Sequence, residues 1–191
     1  RLGLNEGAII GIVARLSSVK GQDILIEAMP KVVGRFPHAN LLLVAEGTWK
    51  DHLESRVKAL YLARHVFFIP TTLKDENILP LFDIFVMPSR QEGLGLSVME
   101  AQAQGLAVVA SDVGGLPTLI ENGRTGILVP KEDSDELAQA IILLVADPKK
   151  RSMLGEAAHN FIKKNFPFER MIERTLDVYK KAIRHEKNPC C

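Results

Sequence analysis

Short apolar runs alternate with amphipathic stretches along nearly the whole chain. Six runs, Ala8–Ala14, Leu41–Ala45, Val66–Ile69, Ile84–Met87, Ala107–Ala110 and Ile127–Val129, are continuously apolar rather than alternating in polarity. Runs of that length and character predict strands covered on both faces, as in a parallel sheet. Between and after them the pattern predicts helices over Gln22–Phe36, Trp49–Leu62, Leu79–Phe82 with the residues before it, Leu96–Gln104, Leu116–Ile120 and Ser134–Ala146. Two more, about Lys149–Lys164 and Phe168–His185, stand on either side of Pro167. Pro30 falls inside the first helix and is expected to kink or divide it. Asp133, with Glu136 three residues on, forms a capping pair for the helix at Ser134.

Strand–helix repetition of this kind predicts an α/β domain with a doubly wound parallel sheet. No internal repeat, low-complexity tract or linker interrupts it, so residues 1–191 are expected to form a single domain. Ligands of such sheets bind beyond the carboxyl ends of the strands. The loops after Ala14, Ala45, Ile69, Met87 and Ala110 should therefore share one rim.

The residues with the most chemistry fall on those loops. In Pro88-Ser-Arg-Gln-Glu92-Gly-Leu-Gly95-Leu-Ser-Val-Met-Glu100, two carboxylates stand eight positions apart, with a Gly-x-Gly turn between them. A helix opening at Gly95 offers free N–H groups and a positive dipole end, which suits a phosphate. Glu100 lies roughly 7 Å farther along that helix, about the step from a diphosphate to its ribose, while Glu92 can reach the opposite side. One carboxylate per sugar with phosphate between is the geometry of a nucleotide-sugar site. Arg15 and Lys20 flank the loop after the first strand. Taken alone they read as solvated cations; beside Glu92 and Glu100 they suit a departing diphosphate. Gly114-Gly115, after the fifth strand, reads equally as a turn with positive φ or as backbone placed close to a ligand.

Composition excludes more than it assigns. At 47% hydrophobic, 25% charged and a net charge of +1, bulk charge favours neither nucleic acid nor a membrane surface. No apolar run reaches the roughly 20 residues that span a bilayer. Asp133-Ser-Asp135 has the form of a metal-binding Asp-x-Asp, but its place at a helix start fits acids that complement the dipole. The five histidines have no metal-ligand spacing, and neither a Walker A loop nor a Gly-x-Ser-x-Gly elbow is present. Cys190 and Cys191 are adjacent in a polar tail, which predicts no intrachain disulfide and a reducing, cytoplasmic setting. Arg1 in place of Met leads to the expectation of a piece of a longer chain.

On these residues the chain resembles the C-terminal, donor-binding domain of family 4 retaining glycosyltransferases, which have the GT-B fold of two facing Rossmann-like domains. The resemblance runs from Ile9-Ile-Gly-Ile-Val-Ala-Arg15 to Asp177-Val-Tyr179, and the segment Glu92 to Glu100 is its most specific part. It implies that Arg15 and Lys20 hold the diphosphate of a UDP-, GDP- or ADP-sugar, Glu100 the ribose and Glu92 the transferred sugar. The amides of Gly93, Leu94, Gly95 and Leu96 would contact phosphate and sugar, and the base would lie near Ile69–Leu73. No metal or other cofactor is implied. The acceptor, a glycan, lipid or small molecule, would be bound by an N-terminal domain absent here. The Phe168–His185 helix would pack on that domain with Met171, Ile172, Leu176, Val178, Tyr179 and Ile183, and any peripheral membrane contact would also be made there. The isolated domain is then expected to transfer no sugar. Two alternatives are a silent nucleotide-sugar-binding module and a GT-B nucleotide-sugar epimerase. Ala14, Ala45, Pro70, Leu94, Ala107 and Thr118 depart from the family's usual residues, but Arg15, Lys20, Glu92 and Glu100 are all present.

Overall fold

The computed structural model describes residues 6–70 and 78–187, with side chains as far as residue 183. Six strands, β1 (Ile9–Val13), β2 (Asn40–Val44), β3 (Val66–Ile69), β4 (Ile84–Met87), β5 (Ala107–Ser111) and β6 (Ile127–Val129), form one sheet in the order β3-β2-β1-β4-β5-β6. Every pairing is parallel. Every residue of β2, β4 and β5 is buried, as expected of strands covered on both faces. β2 begins one residue earlier than its apolar run because Asn40 is satisfied there. Its N–H donates to the Ala8 carbonyl and its side-chain amide to that of His38, so this polar residue is buried at little cost.

The helices are α1 (Gln22–Arg35), α2 (Lys50–Ala59), α3 (Leu96–Ala103), α4 (Leu116–Leu119), α5 (Ser134–Ala146), α6 (Pro148–Asn165) and α7 (Phe168–Lys187). α1 packs on α5 and α2, while α3 packs on α6. Pro30 does not divide α1, which was one of the two outcomes expected from sequence. The ring is exposed on the outer face, and Leu25, Ile26, Met29 and Val32 are buried on the inner one. Tertiary packing of that apolar face outweighs the hydrogen bond that Pro30 cannot donate. Leu79–Leu81 is a 3₁₀ turn, preceded by the buried Ile78; the rest of the stretch expected to extend it, residues 71–77, lies outside the described residues. Asp133 caps α5 as expected, its Oδ1 accepting from the N–H groups of Asp135 and Glu136 at 3.1 and 2.9 Å.

The strand order reverses direction of travel between β1 and β4. The first crossovers lead outward from β1 to β2 and β3, and the later ones from β4 to β5 and β6. This is the topological switch point, where the loops leaving neighbouring strands diverge and open a crevice. The β1–β4 ladder stops at Gly11↔Phe85, before Val13 and Met87 end their strands. The crevice is thus unclosed by backbone pairing where the two loops depart.

Candidate functional site

The loop leaving β1 is tied down on its way to α1. Leu16 donates its N–H to the Glu46 carbonyl, and a 3₁₀ turn spans Ser18–Lys20. Gln22, fully buried, donates its side-chain amide to the carbonyls of Ala14 and Arg15 at 3.3 and 3.0 Å. Gly21 has φ +67°, and a Cβ there would lie 2.0 Å from the Pro88 carbonyl oxygen. The loop after β1 therefore rests directly on the loop after β4.

That second loop carries Glu92. Its Oε2 accepts from Lys20 Nζ at 2.6 Å and from the hydroxyl of the fully buried Ser89 at 3.2 Å. The pair is largely shielded, with side-chain exposures of 24% for Lys20 and 11% for Glu92. Sequence reasoning put Lys20 with Arg15 on the phosphate and Glu92 on the sugar; the structure joins Lys20 to Glu92. The loop turns into α3 through Gly95, whose φ of +79° is a left-handed value that favours glycine. No side chain caps α3 and no acid lies in its first turn, so its N-terminus presents amides to the crevice.

Gly114 has the positive φ that one sequence reading named, and the two glycines have a further use that neither reading named. A Cβ at Gly114 would lie 1.8 Å from the Glu92 carbonyl oxygen, and one at Gly115 would lie 2.0 Å from that of Gly93. Gly115 also donates its N–H to the Glu92 carbonyl at 3.3 Å. The two glycines form a floor on which the Glu92 loop sits backbone to backbone.

Two adjoining cavities open on this rim. The one toward β2, about 440 Å³, is lined by Arg15, Glu46, Ser97 and Glu100 among others. Its neighbour, about 410 Å³, is lined by Arg15, Lys20, Glu92, Leu94 and Gly95. Arg15, Leu96 and Ser97 border both. Arg15 is exposed and makes no ion pair among the described residues. The structure thus brings Arg15, Lys20 and Glu92 together on one cavity and Arg15 and Glu100 on the next, with α3 opening between them. Gly93 lines neither, and a Cβ on it would meet nothing within 4 Å. Of the segment expected near a base, Ile69 is buried at the end of β3, whereas Thr71, Thr72 and Leu73 lie outside the described residues.

Sequence reasoning gave no role to Gln22, Glu46, Ser89, Arg90 or Ser97. Glu46 had a legible signal, since it follows β2 on the predicted rim. Arg90 had none: it reads as filler inside the motif. Its guanidinium grips both oxygens of Asp23 at 2.9 Å. Burial disfavours the charged form of Asp23. The Arg90 hydrogen bonds and charge, with the N–H groups of Asp23 and Ile24, outweigh this and hold its carboxyl below the ordinary value of 3.8. The hydrogen bond to Asp23 likewise raises the pKa of Arg90. Asp133 and Asp135 serve the fold: Asp133 caps α5, and Asp135 pairs with Lys31 at 2.6 Å. Among the described residues no cluster of three or more His, Cys, Asp or Glu is placed to hold a metal ion.

Known proteins resemble this chain in sequence and fold. Residues 2–161 match the family model described as glycosyl transferases group 1. The GDP-mannose-dependent monoacylated alpha-(1-6)-phosphatidylinositol monomannoside mannosyltransferase of Corynebacterium glutamicum is 35% identical over 194 aligned positions. That alignment covers 96% of this chain and 50% of the relative. Among solved structures, a variant of S. aureus TarM in complex with fondaparinux, alpha-GlcNAc-glycerol and UDP superposes with a TM-score of 0.87 at 28% identity, over 92% of this chain and 36% of that one. The C-terminal domain of a Francisella tularensis group 1 family protein, LpcC, has a TM-score of 0.78 at 28% identity, over 86% of this chain and 89% of that one. The chain spans about half the length of the curated relatives it matches.

Proposed function

The chain belongs to the group 1 glycosyl transferases, and from that premise we propose that it is the half of a retaining hexosyltransferase that binds the nucleotide-sugar donor. The observation that carries the reading is the charge arrangement at the switch-point crevice. Arg15, which makes no ion pair among the described residues, borders both cavities; Glu92 lines one of them, and Glu100 and Glu46 line the other. A donor diphosphate fits between them, against Arg15 and the uncapped α3 amides of Leu96 and Ser97. Glu100 then faces ribose hydroxyls and Glu92 the transferred sugar. The TarM structure, whose complex includes UDP, supports a nucleotide in this kind of cleft.

The Lys20–Glu92 contact refines the roles. A bound diphosphate draws Lys20 Nζ from Glu92 toward its own oxygens, which leaves Glu92 oxygens to accept from sugar hydroxyls. When the glycosidic bond to the diphosphate breaks, Arg15, Lys20 and the helix N-terminus stabilise the leaving anion. Glu92 orients the sugar, and no covalent step through it is proposed. We assign no part to a metal: the Asp-x-Asp of this chain is occupied with capping α5 and pairing Lys31.

The acceptor, and the second wall of the cleft, belong in this proposal to an N-terminal domain outside the chain. α7 would pack on it, since Met171, Ile172, Leu176, Tyr179 and Ile183 are all exposed on that helix. Without that domain the chain binds donor and transfers no sugar. Calorimetric titration of the chain with UDP, GDP and ADP tests the donor site. One nucleotide should bind and the Arg15→Ala/Lys20→Ala variant should lose it; binding that survives the double substitution would refute the assignment.

A further inference from the structure

We infer that Arg90, which lines neither cavity, is a positioning residue that fixes where the Lys20 ammonium meets the Glu92 carboxylate. The inference rests on the donor-site reading above and adds to it a residue that touches no donor atom.

Arg90 ties together three separate segments. Nη1 and Nη2 reach the two oxygens of Asp23 in the first turn of α1, both at 2.9 Å. Nη1 also donates to the Ser18 carbonyl at 2.7 Å, and Nε donates to Glu132, after β6, at 2.9 Å. The main chain joins in, the Arg90 N–H donating to the Val19 carbonyl at 2.8 Å. Side chain and backbone of one residue thus hold the turn Ser18–Lys20. Two residues on, Glu92 receives the side chain at the end of that same turn. The contacts close a ring: from Arg90 to Ser18 and Val19, along the chain to Lys20, across the ion pair to Glu92, and back to Arg90.

An ordinary surface ion pair would not need this. Exposed pairs are worth little. Here the planar fork is used on both edges, and an ammonium cannot reproduce that geometry. Glu132 adds a second, independent sign. It is a non-glycine residue at φ +61°, a sparsely populated conformation that surrounding structure must sustain, and its carboxylate lies on Arg90 Nε. Arg90 is held from both sides, and what it holds is the approach of Lys20 to Glu92.

A double-mutant cycle on the full-length protein distinguishes positioning from bulk stability. Affinity is measured with whichever of UDP, GDP and ADP binds the unaltered protein, for Arg90→Gln, Lys20→Ala and the two combined. Lys20→Ala should weaken binding about 10- to 100-fold, the loss of one charge-assisted contact to the diphosphate. Arg90→Gln should weaken it comparably, and the combined variant should be no weaker than Lys20→Ala alone. Arg90→Lys should not restore affinity. Additive losses, or Arg90→Gln binding within about twofold of the unaltered protein, would overturn the inference while leaving the donor site standing. Glu132→Gln, which removes one exposed arm, provides the same cycle should Arg90→Gln not fold; additivity there overturns the inference equally. If the unaltered protein binds none of the three nucleotides, the donor-site reading falls first and this one with it.

Discussion

Gly93 and Gly114 touch the same loop and should respond to an added methyl in opposite ways. At Gly93 the methyl meets open space and φ is not left-handed. Gly93→Ala is therefore expected to leave stability unchanged or raise it by about 0.4–1 kcal/mol, because the unfolded chain loses freedom. Gly114 has φ +54°, and its Cβ would enter the Glu92 carbonyl. Gly114→Ala should cost at least about 2 kcal/mol from backbone strain and forced displacement of the Glu92 loop. Thermal denaturation of the two variants checks both signs, and similar melting temperatures would contradict the packing described. The sequence suggested the positive φ of Gly114 but not the contact of Gly114 and Gly115 with the Glu92 loop, because that partner lies more than twenty residues away and contact between backbones leaves no mark in side-chain patterning.

α1 begins at the rim, and its acid sensitivity follows from Asp23. Folding lowers the Asp23 pKa, so as pH falls the unfolded chain takes up that proton first. The stabilisation by Asp23 is thus complete well above the ordinary value of 3.8 and is lost as pH drops through it toward the lower folded value. Asp23→Asn should destabilise the chain by about 1–2 kcal/mol at neutral pH, given a partly shielded bidentate pair, with the difference shrinking below about pH 4. Urea denaturation across that range would show it; a difference constant with pH would refute the linkage. In the same urea experiment, Asp133→Ala should cost about 1 kcal/mol through loss of the α5 cap. Elements of this kind were largely legible. Strands such as Val66–Ile69 and Ile84–Met87 declared themselves as unbroken apolar runs, and Asp133 declared its cap. That α1 runs undivided through Pro30 was not legible, because it depends on how the helix's buried face packs. Among the candidate-site residues, that Arg15, Lys20 and Glu92 gather on one rim with Glu100 of α3 was legible from residue type and position. The Lys20–Glu92 bond and the work of Arg90 were not, since both depend on how two loops 72 positions apart settle on each other.

Viewed whole, the molecule carries the proposed donor site at the carboxyl ends of its two central strands and an exposed apolar stripe on α7. A groove of about 470 Å³, lined by Leu94 and Leu96 on one side and Phe168 and Met171 on the other, connects the two regions. If α7 packs on a domain outside this chain, Leu176→Asp should shift the stability of the chain itself by no more than about 0.5 kcal/mol, since Leu176 is exposed. In the full-length protein the same change should lower both melting temperature and transfer. Unaltered transfer would remove α7 from the interface. The floor beneath Glu92 also bears on engineering. The segment from Pro88 to Glu100 looks portable on paper, a cassette that could be moved into another parallel sheet to confer nucleotide-sugar binding. It is only the upper layer of a stack. A recipient lacking glycines at the places of Gly114 and Gly115 would hold the transplanted loop too high, and Glu92 would lack the Lys20 that the loop after β1 supplies. Grafts and chimeras between relatives should therefore exchange the loops after β1, β4 and β5 together.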